Sequence, residues 1–400
     1  MPGAERLTSK DNTMQLLDLI ETYDAQDATA ERLYAREGRK VRGGRNTPAY
    51  KRSLLEAARL YEGVLAGRIP GHRLSEAMTT SDFNFLFGDI VDRQMLASYQ
   101  HMPVMWQSIA KRGRVRDFRT VDRFAVNGGE AVLSEVKETA EYPAASVSDA
   151  RYQYQVKKYG KRLPFSWESF INDDLDALRD MPQRLANSAR FSEERFVTDL
   201  FAGTTGPDGT FFASGNNNIV TSNPTLSVAG LTTAFTVLAA QVDTDGNPIY
   251  LGNVILVVPP ALKITANNIL NATEILAADG GGDGTGNNQL RVANWLKNDV
   301  SVVVDPWLPI VSTTNGNTSW YLFADPNVGR PAMEIGFLSG HETPELFMKS
   351  PNASRVGGGT VDPMDGDFDT DSIDTKVRHV FGGVLLDPKS AVASNGTAAP

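Results

Sequence analysis

The sequence predicts an α+β chain of two or three domains, and three observations carry that expectation. Helical spacing of apolar residues marks the N-terminal region and a long segment near residues 180–202. A polar stretch from Ala131 to Phe165 has the two-residue period of a strand hairpin. Beyond Leu226, short apolar strands alternate with helical segments. At 400 residues, with 41% hydrophobic residues, the chain is long enough for real cores at ~150 residues per domain.

Residues 1–78 are expected to be helical and separable. Leu16, Leu17, Ile20 and Tyr23 recur at helical spacing, as do Leu54, Ala58, Tyr61 and Leu65. Between them lies REGRKVRGGRNTP, a basic linker whose plain role is a solvated connection and whose sharper role is a nucleic-acid contact or processing site. From Thr79 to Gln100 a Thr/Ser/Asp start followed by crowded apolar residues suits a capped amphipathic helix. The basic segment KRGRVRDFR then leads into the hairpin.

In the hairpin, residues 131–142 (AVLSEVKETAEY) and 151–165 (RYQYQVKKYGKRLPF) both read as strands. Tyr152, Tyr154 and Val156 fall on one face, and Gln153, Gln155 and Lys157 on the other. The first arm is acidic, with Glu135, Glu138 and Glu141 (and Glu130 just before) against Lys137. The second is basic, with Arg151, Lys157, Lys158, Lys161 and Arg162. Opposite charges across an antiparallel pair stabilise it. Two strands this hydrophilic cannot hold themselves together alone in water, which points to burial on another subunit; a solvated hairpin on the edge of the domain's own sheet is the plainer alternative.

After the hairpin, Ser166 is expected to open a helix through Leu178, and Asp180 and Gln183 to begin another, with Pro182 tolerated in its first turn. That second helix, to about Ala202, places Leu185, Ala189, Phe196 and Leu200 on a buried stripe and Arg184, Arg190, Glu193, Glu194 and Arg195 on a wet face. Gly203 ends it. The next region reads as the helix VAGLTTAFTVLAAQV, a turn at Asp245 to Pro248, the strand NVILVVP, a helix near Ala261 to Leu276, a Gly-rich loop from Gly280 to Gly286, and the strands SVVVD, WYLFAD and AMEIGFL. DTKVRHVFGGVLLDP reads as one or two further strands, and SNGTAAP as a disordered tail.

Composition excludes some classes. There are no cysteines, so thiolate metal sites and disulfide scaffolds are absent. The N-terminus lacks a signal-peptide pattern, and the longest apolar run, Val254 to Leu262, is too short for a bilayer, which implies a protein made and kept in a cytoplasm. A net charge of −9 argues against a chain whose main task is gripping nucleic acid. His72, His101, His341 and His379 are isolated, and no GxSxG, HExxH or Walker A pattern occurs, so no catalytic, cofactor-binding or metal residue is assigned. Asp365, Asp367, Asp369 and Asp371 alternate like the start of a calcium loop, but glycine is missing at the sixth place and Lys376 stands where the bidentate Glu belongs.

Five stretches carry a resemblance. TTSDFNFLFGDIVDRQMLASY, VKKYGKRLPFSWESFINDDLDALRDMPQRL, SARFSEERFVTDLFAG, DTDGNPI with the following VVPPAL, and KVRHVFGGVLLDP occur in the order seen in major capsid proteins of tailed bacteriophages of the Hong Kong 97-type fold, particularly those of actinobacteria. The chain resembles that family over most of residues 79–390.

The resemblance implies a domain plan. Residues 1–78 would be a scaffolding-like or retained arm, 79–123 the N-arm and start of the peripheral domain, and 124–165 the E-loop. Residues 166–224 would hold the peripheral domain with its spine helix at 180–202, 225–372 the axial domain, 373–393 the closing peripheral strands and 394–400 the tail. It also implies inter-subunit contacts through Glu135, Lys137, Glu138, Glu141, Arg151, Lys157, Lys158, Lys161 and Arg162. The implied function is a structural, non-enzymatic protein that forms hexamers and pentamers of an icosahedral virion shell around double-stranded DNA, assembled in the host cytoplasm. Its implied partners are other copies of itself, a portal, a possible scaffold, protease or decoration protein, and the DNA without sequence preference; no membrane and no cofactor enter. An encapsulin-like nanocompartment shell is the alternative within the fold, and a two-domain cytoplasmic enzyme or metal-binding protein using Asp365 to Asp371 the distant one.

Overall fold

A computed structural model of the chain describes residues 102–128, 147–166, 175–243, 246–249, 252–278, 289–327, 330–349 and 367–397, with short pieces at 56–60, 63, 68–69, 95–96, 98–100, 352 and 356. In chain order the elements are helix α1 (Trp106–Ile109), strands β1 (Lys111–Val115), β2 (Val121–Gly128), β3 (Val147–Tyr154) and β4 (Lys157–Ser166), and the long helix α2 (Leu175–Phe201). Then come β5 (Ala202–Gly203), β6 (Gly206–Pro207), α3 (Val228–Ala239), β7 (Val254–Val258), α4 (Lys263–Asn271), β8 (Glu274–Ala278) and β9 (Gln289–Ala293). The chain continues through α5 (Leu296–Asp299), β10 (Val300–Val304), α6 (Leu308–Val311), β11 (Trp320–Ala324), β12 (Met333–Leu338), β13 (Glu345–Met348), β14 (Ser372–Leu385) and β15 (Ala391–Ser394). The mixture is α+β, as expected, and no helix among the described residues is long and apolar enough to cross a membrane.

The chain divides into two compact bodies. One takes the described residues before 104 and those of 158–190 and 343–379; the other takes 104–157, 191–342 and 380–397. In the larger body a four-stranded sheet runs β10-β7-β11-β15, with β10 parallel to β7 and the other pairs antiparallel. β7 is buried at every position, which explains its unbroken VILVV. Leu231, Ala234 and Leu238 of α3, Ala266 and Leu270 of α4, and Leu256, Val258, Trp320 and Leu322 of the sheet share one core. Each fully buried Val or Leu there stabilises by about 1.5–3 kcal/mol. Ser227 caps α3 by accepting the Gly230 N–H at 3.1 Å.

A second sheet in this body pairs β1 in parallel with β12, and β12 with the Val380–Leu385 half of β14. Phe337 and Phe381 are buried on it, with Trp106 of α1 at 5.5 Å from Phe337 and Phe196 of α2 at 5.4 Å from Phe381. In the smaller body, β13 pairs antiparallel with the Thr375–Arg378 stretch of β14. Arg378 is bound to Glu345 there and lies over the Phe347 ring at 4.5 Å.

Several local expectations need correction. Residues 175–201 form one helix, so Pro182 lies inside it and not in a first turn; tertiary burial outweighs a missing N–H that costs about 3 kcal/mol in an exposed helix. Ser166 ends β4, and most of the helix expected from it, residues 167–174, lies outside the described residues. The expected helix near Ala261 to Leu276 stops at Asn271, and Glu274 already belongs to β8. Ser394, expected to open a loose tail, ends β15 opposite Trp320.

The wet face of α2 is also wrong in part. Arg184 and Arg195 are exposed, but Arg190, Glu193 and Glu194 are buried. Their polar atoms meet partners that periodicity cannot see: Glu193 accepts the Trp106 Nε1–H at 3.0 Å, Glu194 the Met105 N–H at 2.8 Å, and Arg190 donates to Tyr99 O at 2.8 Å while lying 3.7 Å over its ring. Residues 1–78, the helix expected from Thr79 and the glycine loop fall largely or wholly outside the described residues.

Candidate assembly surface

β2 and β3 form an antiparallel ribbon that stands apart from the larger sheets, pairing Val121 with Tyr154 and Gly128 with Val147. The basic second arm of the hairpin is therefore split. Its first part is laddered to residues 121–128, its second part, β4, pairs with β14, and the acidic arm 131–142 lies outside the described residues.

Charge pairing across the ribbon follows from that register. Asp122 accepts Arg151 Nε at 2.9 Å and Nη2 at 3.0 Å, and Gln153 Nε2 at 2.8 Å. These bonds, Arg151 first, hold the Asp122 carboxyl below its ordinary value.

The root of the ribbon is buried. Glu334 of β12, only 5% exposed, accepts the Tyr154 hydroxyl at 2.7 Å and Arg123 Nε at 2.7 Å. Burial, and then Glu334, pushes the Tyr154 phenol up, so it stays a neutral donor. Three glycines let the backbones approach. A Cβ at Gly336 would collide with the Tyr154 ring and hydroxyl, one at Gly382 with the Gln155 carbonyl, and one at Gly113 with the Glu334 carboxylate. Val115, Tyr154, Val156, Leu338 and Val380 close an apolar seal around this latch.

β4 presents Lys157, Lys158 and Lys161 to solvent. Arg162 reaches the buried Asp374 at 2.7 Å, and Lys349 lies 2.6 Å from Asp367 and 3.8 Å from Asp374. The carboxylate of Asp367, a candidate calcium ligand, is thus already bound by a lysine, and among the described residues no group of His, Asp and Glu has metal-binding geometry. His379 is buried edge-on to Tyr99 at 6.0 Å, His341 is a loop residue, and His72, His101 and Asp365 lie outside the described residues.

Of the nine expected contact residues, Arg151 and Arg162 meet partners inside their own chain, the three lysines are exposed, and Glu135, Lys137, Glu138 and Glu141 lie outside the described residues. Sequence reasoning missed Asp122, Arg123 and Glu334. A signal for Glu334 was present, since one acid inside the apolar run AMEIGFL requires a buried partner.

The arrangement suits a mechanical element: a buried root, a braced ribbon and a row of exposed lysines. The sequence model of a family described as phage capsid protein matches residues 151–394. Among solved structures, the chain is similar to a virus-like particle from Pyrococcus furiosus, at 10% identity and TM-score 0.42 over 77% of this chain and 99% of that one. It is also similar to a chain from Gordonia phage Cozz (13% identity, TM-score 0.41, 72% and 84% covered) and one from Mycobacterium phage Ogopogo (12%, 0.39, 70% and 88%). No curated protein matches.

Proposed function

Because the chain belongs to the phage capsid protein family, whose model covers more than half of it, we propose that it is the major capsid protein of a tailed phage, with the Hong Kong 97-type fold, building hexamers and pentamers of an icosahedral shell around double-stranded DNA. As a member of that family it is a structural component of the virion. Family membership is the observation that carries this; the braced ribbon supports it, because a hydrophilic two-stranded element gains stability only by packing on something else.

In this reading the β2–β3 ribbon and the segment between its strands form the E-loop, α2 is the spine helix, and the β10-β7-β11-β15 sheet lies in the axial domain. Glu135, Lys137, Glu138, Glu141, Lys157, Lys158 and Lys161 face a neighbouring subunit, while Arg151 and Arg162 hold the loop's own register. Assembly takes place in the host cytoplasm, with a portal and any scaffold, protease or decoration protein as further partners. Contacts too weak singly become effective when repeated around closed rings. The net charge of −9 limits adhesion of packaged DNA to the wall.

The test is Lys157→Glu with Lys158→Glu. Both side chains are exposed, so the variant subunits are expected to keep wild-type circular dichroism and melting while particles disappear from velocity sedimentation. Normal particles from the folded variant would refute the inter-subunit placement of these lysines.

A further inference from the structure

We propose that the strip from Lys111 to Arg119 binds the phosphate backbone of double-stranded DNA without sequence preference, an inference that rests on the capsid reading above and gives the enclosed DNA a place to touch the wall. The strip holds Lys111, Arg112, Arg114, Arg116 and Arg119 against one acid, Asp117, in a chain whose net charge is −9. All five cations are exposed, Arg114 at 75% and Arg119 at 90% of the side chain. Lys111 and Arg116 have no ion pair among the described residues, and the pair of Arg119 with Asp117 is long, at 3.8 Å. Much of this charge is therefore available to an anion from outside.

Local structure orders part of the strip in advance. In β1, Val115 is buried and a Cβ at Gly113 would strike the Glu334 carboxylate, so strand alternation sends Arg112 and Arg114 to the opposite side, about 6.8 Å apart. Arg112 lies 5.0 Å from the centre of the Phe337 ring, and Arg112 Nη2 and Arg114 Nε reach Glu342 at 3.1 Å and 2.7 Å. Side chains held in this way lose less freedom when a ligand arrives, and one carboxylate leaves the two guanidinium groups with a net positive charge. A guanidinium fork fits phosphate as it fits carboxylate. Past β1, Gln155 Nε2 donates to the Phe118 carbonyl at 2.5 Å and ties down the bend that carries Arg116 and Arg119. Phe118 is 47% exposed between them, so its ring can lie against a sugar while the cations take the flanking phosphates.

A duplex is favoured over an acidic polypeptide. It carries one charge per about 1.7 Å and so meets an irregular row of cations at any register, whereas carboxylates on a chain must be matched one by one. The strip has no helix to lay in a major groove, and phosphate contacts carry no sequence information, so no preferred site is expected. Outside the strip the chain is more acidic still, which keeps the contact local. Each contact is weak, and many copies around a shell multiply it. Lys157, Lys158 and Lys161 of β4 are exposed as well and serve as the control for charge alone.

The test measures the full chain, as unassembled subunits, against a fluorescent random-sequence duplex by anisotropy over a series of salt concentrations. With about four phosphate contacts, affinity should fall roughly a hundredfold from about 50 to about 200 mM salt. Lys111→Ala with Arg116→Ala breaks no intramolecular ion pair; it should keep the wild-type melt, weaken binding at least tenfold at low salt and reduce the salt slope by about 2. Lys111→Glu with Arg116→Glu should abolish binding. Lys157→Glu with Lys158→Glu makes the same charge change on β4 and should bind as the wild type does. No salt-dependent binding by the wild type overturns the proposal, as does an equal loss from the β4 variant, which would put the contact down to charge alone. Poly-glutamate that displaces the duplex as well as an equal charge of unlabelled DNA overturns it too and assigns the strip to an acidic polypeptide. Normal shells from a wild type without DNA affinity leave the capsid reading standing and sink this inference alone; a wild type that binds duplex through the strip but never forms shells does the reverse.

Discussion

Asp305 lies fully buried just after β10, where its carboxylate accepts the Thr198 hydroxyl of α2 at 2.7 Å and the Trp307 N–H at 2.8 Å. Burial pushes its acid up to about 6, against the two hydrogen bonds, which favour the charged form. Unfolded, the same group titrates near ~3.9. Between those values the folded chain holds a proton that the unfolded chain has lost, so the stability Asp305 confers is complete below about pH 4, falls as pH rises to about 6, and is level above. The unfolding free energy of unassembled subunits, read from denaturant titrations, should drop across that window by on the order of 3 kcal/mol, and the drop should vanish in Asp305→Asn. A wild-type midpoint that rises over the same window would contradict this. Asp305, like Glu193 and Glu194, was not legible as a buried polar residue. Helical period predicts the apolar stripe of α2, with Leu185 and Ala189 buried on it, but the partners of the buried acids come from residues far away in sequence.

Among the elements, the ribbon depends on its root. Glu334→Ala would leave the Arg123 guanidinium and Tyr154 hydroxyl without their shared acceptor in a partly dry site, a loss on the order of 2 kcal/mol after allowing for the exposure of Arg123. Amide exchange at residues 121–128 and 147–154 should accelerate while β7 and β11 stay protected; unchanged exchange in the ribbon would show that the latch does not hold it. Most strands were legible because fully buried runs such as VILVV and WYLFA have no other plausible use. Register was not. β3 pairs with β2, residue by residue from Val121–Tyr154 to Gly128–Val147, whereas a two-residue period says which residues share a face and nothing about which strand lies opposite. Pro182 misled for a similar reason, since a helix held by tertiary packing tolerates what an isolated one does not.

For the whole molecule, the ordered motifs that carry the resemblance were enough to reach the family, whereas the division of strands between sheets was not legible. β14 supplies one half to each compact body, and β15 closes a sheet begun nearly 140 residues earlier at Val254, pairings of high sequence separation that no local signal encodes. Among its described residues a single copy exposes the lysines of β4 and the cations of β1. The most direct measurement is electron cryomicroscopy of the purified full-length chain across a range of concentrations and ionic strengths. Closed shells with five- and six-membered rings, in which each ribbon lies on an adjacent subunit, are the predicted result. Monomers under every condition, with the ribbon and its intervening segment packed wholly on their own subunit, would contradict it.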